Sequence, residues 1–150
     1  MSYDKSKNLD TIPGLKKFPI ELKNDLIESV SVLDRQVKGQ LIINVICDQL
    51  KIPRIRLNVS DAPQKHSMHV TGRLKRKTLG QYTHHGNSGI GIQIWNLTAK
   101  QHKVVSGKTF FHTLLHEVCH HIDCAYLGFI DSPHTSGFYR RISYLESMFK

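Results

Sequence analysis

The pentapeptide His116-Glu117-Val118-Cys119-His120 constrains this chain more than any other stretch. Two histidines four apart share one face of an α-helix, with about 6 Å between their Cβ atoms. From that face both imidazoles can close on one tetrahedral zinc at roughly 2.0–2.1 Å. Glu117 leans to the side of the pair, where a carboxylate reaches a water without ligating the metal. The pattern therefore asks for a half-buried helix.

The flanking sequence supplies one. Ser106 is a candidate N-cap, Thr109 to Leu127 runs without Gly or Pro, and Gly128 is a natural stop. Phe111, Leu115, Val118, Ile122 and Ala125 form an apolar stripe for a core. His112, His116, His120 and Asp123 lie on the opposite side. Asp123, three residues past His120, is placed either to orient a ligand imidazole or to sit at the surface as a carboxylate. His121 reads as an orienting or surface histidine. Cys124 reads as a small buried apolar residue.

One straight helix cannot fill three tetrahedral corners, so a third ligand must come from elsewhere. His134, separated from His120 by thirteen residues, has the reach to leave the helix, turn and return. Pro133 fixes its entry, and Thr135 or Ser136 can cap a last helix running to about Phe149. Phe138, Ile142, Leu145 and Phe149 would be that helix's inner stripe. Glu146, or Asp123, is the alternative third ligand.

HEVCHHID, a loop and then HTSGFYRRI resembles the SprT/Spartan group of zincin-type metalloproteases, over roughly Gly89 to Phe149. The resemblance implies His116, His120 and His134 as ligands of one Zn2+ per chain, with Glu117 as catalytic base. It also implies a protein or peptide substrate and points to DNA-associated proteolysis. The chain departs from the longer members, which end in a cysteine-paired zinc ribbon or partner-binding tails. It has no CxxC.

At 150 residues the sequence reads as residues 1–17, a loose Lys-rich lead-in, followed by one domain over 18–150. Pro19 opens a helical tract in which Leu22, Leu26, Val30, Leu33, Val37, Leu41 and Val45 recur every three or four positions. Gly39 is expected to divide that tract and Pro53 to end it. Residues 54–59 alternate as a strand, with weaker candidates at 68–74 and 79–83. Ile90 to Trp95 alternates directly before the HExxH helix. It reads as a plain structural strand or as one that borders the cleft and pairs with extended substrate. Three unpatterned cysteines, no apolar h-region at the start and no run of eighteen apolar residues lead us to expect a reducing, cytoplasmic setting without a membrane span.

Charge is the other signal. The net charge is +9, and residues 51–77 hold eight basic side chains against one acid, Asp61. The densest part contains Arg73, Lys75, Arg76 and Lys77. Such a patch binds phosphate by counterion release, and Tyr82, His84 and His85 are placed to stack on unpaired bases. A solvated hairpin serving solubility has the same composition.

These features together predict an α+β zincin-like fold: N-terminal helices on a small twisted sheet, the HExxH helix beneath it, and a C-terminal helix. The expected activity is peptide hydrolysis by a water that zinc acidifies and Glu117 deprotonates. Tyr139 and Tyr82 are candidates for stabilising the oxyanion. The rival readings are a zinc-stabilised nucleic-acid-binding module without turnover, and a gluzincin-type protease of one specific partner.

Overall fold

The computed structural model describes residues 2–61, 67–68, 74–76, 79–85, 89–98 and 101–150. Within them the fold is mixed α+β. Its helices are α1 (Ser2–Asn8), α2 (Ile20–Glu28), α3 (Val32–Leu50), α4 (Gly107–Ile122) and α5 (Ser136–Ser147). Its strands are β1 (Arg56–Ser60), β2 (Ser67–Met68), β3 (Leu74–Arg76), β4 (Gly80–His85) and β5 (Gly89–Trp95). No helix of the described residues is long and apolar enough to cross a membrane.

The main sheet runs β1-β5-β4, with β1 parallel and β4 antiparallel to β5, while β2 and β3 pair separately. Period-two alternation buries Leu57 and Val59 of β1 and Ile92 and Ile94 of β5 on one face, which α3 and α4 cover. The sequence left open whether residues 90–95 pair with substrate. They do not have a free edge, because β5 is the central strand with neighbours on both sides.

The two outer edges differ. Along β1, Gln40 accepts from the Leu57 N–H at 2.8 Å and donates to the Ile55 carbonyl at 2.9 Å. Gln36, one turn earlier on α3, accepts from the Val59 N–H at 2.7 Å and donates to the Leu57 carbonyl. Two side-chain amides thus stand in for a neighbouring strand and close this edge. On β4 no further strand follows among the described residues.

The helical tract breaks at Ser29–Ser31 rather than at Gly39. Ser31 caps α3 by accepting from Asp34 N–H, and α3 continues through Gly39. A Cβ on Gly39 would lie 2.6 Å from the Leu57 side chain, so this glycine allows the sheet to approach the helix. The inward face of α3 is also not the one the periodicity suggested. Leu33, Val37 and Leu41 are exposed, whereas Ile42, Ile43, Ile46, Cys47 and Leu50 are buried. The helix carries two apolar stripes, and the sheet takes the one that includes Gly39. Buried Arg35 donates to the Ser29 and Val105 carbonyls and to Asn96, fixing the approach to α4.

Residues 1–17, read as a loose lead-in, are corrected for the part described. Ile12 and Leu15 are buried in the core. Arg140 pairs with Asp10 at 2.6 Å, and Arg141 donates to the Ser6 and Leu9 carbonyls at 2.7 and 2.6 Å. Two arginines of α5 therefore fasten the polar N-terminal segment, which composition alone made look detached.

Candidate metal centre

Helix α4 is capped as its sequence suggests, Ser106 accepting from the Thr109 N–H at 3.2 Å. Phe110, Phe111, Leu114, Leu115, Val118 and Ile122 are buried, which turns His116 and His120 to the other side. The α-helix ends at Ile122, and Asp123–Leu127 forms a single π-helical turn before Gly128. Because its bonds run i→i+5, this turn breaks the helical phase. Ala125, expected in the inner stripe, is exposed for that reason.

Helix α5 begins behind Thr135, which accepts from the Phe138 N–H at 3.0 Å, and it presents His134 from the loop before its cap. His116, His120 and His134 then converge, each offering a ring nitrogen, with all three within 4.8 Å of one another. The Nε2 atoms of His120 and His134 are 2.9 Å apart. Phe138, fully buried, packs against all three rings with centroid separations of 4.7–5.2 Å.

Three imidazoles are a donor set suited to zinc. Burial first, and then the charge of neighbouring histidines, hold His116 down at about 4 and His120 at about 3. Both rings are therefore neutral at physiological pH, the form a metal requires. Glu146 stands apart, 3.8 Å from His112, and Asp123 is buried behind the site rather than within it.

Asp123 acts through an intermediary that spacing did not reveal. Ser132 donates to Asp123 Oδ2 at 2.9 Å, leaving its oxygen to accept from His120 Nδ1 at 2.7 Å. A proton on Nδ1 frees Nε2 for a metal. Ser132 holds φ 39°, a left-handed conformation uncommon for serine. Behind it, fully buried Arg141 contacts Asp123 Oδ2 at 3.2 Å. Ser6 bonds both Arg141 and Thr135 at 2.9 Å, so the N-terminal segment buttresses the His134 loop. Ser132→Ala is expected to lower zinc affinity about 10–100-fold with the fold kept. Competition against a chromophoric chelator measures it, and an unchanged affinity would dismiss Ser132 as the orienting group.

Glu117 is buried, its Oε2 4.0 Å from His116 Nε2, and it lies outside the three-histidine set. Desolvation raises its carboxyl to about 7, against the opposing hydrogen bond from the Tyr82 backbone. Tyr82 itself is turned inward: its hydroxyl meets His121 Nδ1 at 3.0 Å and its ring stacks 6.2 Å from His120. The hydroxyl considered for the oxyanion and the ring considered for base stacking are thus engaged by His121 and His120. His121 is also structural, since its Nε2 meets the Pro53 carbonyl at 2.8 Å. Tyr139 stands half-exposed at the rim, its ring 5.9 Å from His134 and 6.2 Å from His116. Cys124 is half-buried, with its thiol 3.4 Å from the Ile130 carbonyl.

Of the basic cluster, Lys75 and Arg76 belong to β3, whereas Arg73 and Lys77 lie outside the described residues. Within 51–61, Arg54 is paired with Asp48 at 2.6 Å and Arg56 is exposed on the outer face of the sheet. A scan against protein-family models, a search of curated proteins and a search of solved structures each returned no match to this chain.

Proposed function

We propose that this chain is a zinc-dependent metallopeptidase of the SprT-like, zincin type, acting on extended polypeptide and on proteins associated with DNA. The observation that carries this reading is Glu117: a buried carboxylate beside three convergent histidines yet outside their donor set. A purely structural zinc site gains nothing from such a group and is closed by four protein ligands. His116, His120 and His134 would hold the ion, which when bound acidifies a water and polarises a carbonyl.

Glu117 takes the proton from the attacking water and returns it to the leaving amine. Its raised affinity for a proton, near 7, suits a group that must both accept and donate at neutral pH. Tyr139 is the phenol at the rim, able to donate to the oxyanion as charge develops. Ser132, Asp123 and Arg141 keep His120 in one tautomer.

The sheet edge supports an extended substrate. The ladder bond from Trp95 N–H to the Leu79 carbonyl, 2.9 Å, fixes the alternation. It turns the backbone of Gly80, Tyr82 and His84 to the outer side of β4. A peptide laid along that edge would pass the Glu117 carboxylate, which itself takes the Tyr82 N–H. Incubating the zinc-loaded protein with an unfolded polypeptide and sequencing new termini by mass spectrometry tests this. Cleavage of the unfolded chain but not its compact folded form is expected, and no new termini would refute the peptidase reading.

The charge of +9 and the basic run over 51–77 support the DNA-associated substrate class. Binding to single- or double-stranded DNA is expected with little sequence preference and a steep salt dependence. Replacing Arg73, Lys75, Arg76 and Lys77 by Ala should flatten the log–log salt slope by up to about 3–4. Absence of binding by the wild type at low salt would leave a peptidase with no DNA role.

A further inference from the structure

Strand β4 crosses directly over α4. The side chains of Gly80 and Tyr82 alternate toward α4, and Tyr82 reaches His120 and His121. By the same alternation, residue 80 points at the turn of α4 that carries Thr113 and Glu117. A Cβ built on Gly80 would lie 2.7 Å from Thr113 Cγ2, 3.1 Å from Glu117 Cγ and 3.3 Å from Glu117 Oε2. The first is closer than real Cβ contacts allow, and the other two press on the side chain assigned as base.

Two residues on, the Tyr82 backbone hydrogen-bonds the same carboxylate. At Gly80 and Tyr82 the side-chain direction is toward α4, while the backbone N–H and C=O groups point outward at the β4 edge. The carboxylate therefore occupies the room that the missing side chain at 80 leaves and takes its donor from the main chain at 82. A backbone N–H in a strand cannot rotate away, so this donor is fixed in direction. The strand must come close for that bond to form, and a side chain at 80 would hold it off.

We infer that Gly80 is a positioning residue for Glu117: its lack of a side chain lets β4 approach α4 closely enough for the Tyr82 N–H to seat the carboxylate. The inference rests on the peptidase reading for its kinetic consequences, but not for the placement itself. A displacement of about 1 Å in a reacting group can cost on the order of 100-fold in rate.

The experiment compares the full chain with Gly80→Ala and with Gly80→Ala/Thr113→Ala, which removes the tightest contact and keeps the two to Glu117. Zinc content, kcat and KM on a fluorogenic peptide, and a crystal structure of the zinc-loaded double variant are read. Expected are one zinc per chain, KM within about 3-fold, kcat lower by about 10–100-fold, and the Glu117 carboxylate displaced from the Tyr82 N–H. Should Gly80→Ala fail to fold, the double variant decides. Wild-type kcat in the double variant, or a carboxylate still bonded to Tyr82, would overturn the role and leave Gly80 as a mere spacer against Thr113. A wild type that hydrolyses no peptide would sink the peptidase reading instead, while the crystal structure would still decide the seating.

Discussion

Glu117→Gln is expected to leave zinc content and fold intact while peptide hydrolysis falls by about 100–10,000-fold. The amide keeps nearly the same shape and can still accept from the Tyr82 N–H, so the seat on β4 survives. What it loses is the ability to take a proton from water. Because Glu117 lies outside the ligand set, the three histidines should retain the metal. Metal analysis beside turnover on a fluorogenic peptide separates the effects. Loss of zinc in this variant would make the carboxylate a ligand and overturn its assignment as base.

His134→Ala is expected to have the largest effect on the metal itself. It removes one of three donors, and the loss in affinity should exceed the roughly 100-fold ceiling for groups that only orient ligands. Phe138 packs on all three rings and remains in place, so the helix that follows should still form. Glu146→Ala should leave the affinity unchanged, since that carboxylate faces His112. The reverse pattern, zinc kept without His134 and lost without Glu146, would make Glu146 the third ligand.

The parts of the centre legible in the sequence are those set by local geometry. A capped helix without Gly or Pro places His116 and His120 on one side whatever it packs against, and Thr135 fixes where α5 starts. Ser132 was not legible. It is one of many serines, and its value comes from a left-handed backbone and from Asp123 lying nine residues back. Gly80 carries no sequence signal either, because the helix it abuts lies more than thirty residues further on.

Two faces of the fold were misjudged for a related reason. Periodicity on α3 detects an apolar stripe but cannot say which of two will be covered. Leu33, Val37 and Leu41 satisfy the pattern and remain exposed, while the sheet settles where Gly39 lets it come close. The N-terminal seventeen residues are polar enough to read as unpacked. They are held by Arg140 and Arg141, more than a hundred residues away, a pairing that no local signal carries. The π turn over Asp123–Leu127, which begins at the Asp123 that Ser132 joins to His120, likewise carried no local signal.

The central claim, that these three histidines and Glu117 form a zinc peptidase, is tested most directly by metal removal and return. Peptide hydrolysis by the purified full chain is measured as isolated, after chelation, and after titration with Zn2+. The account predicts that chelation abolishes turnover and that activity returns in proportion to added zinc, saturating at one equivalent per chain. Hydrolysis that survives complete removal of zinc, or a chain that binds one zinc with all three histidines and cleaves no peptide, would contradict it.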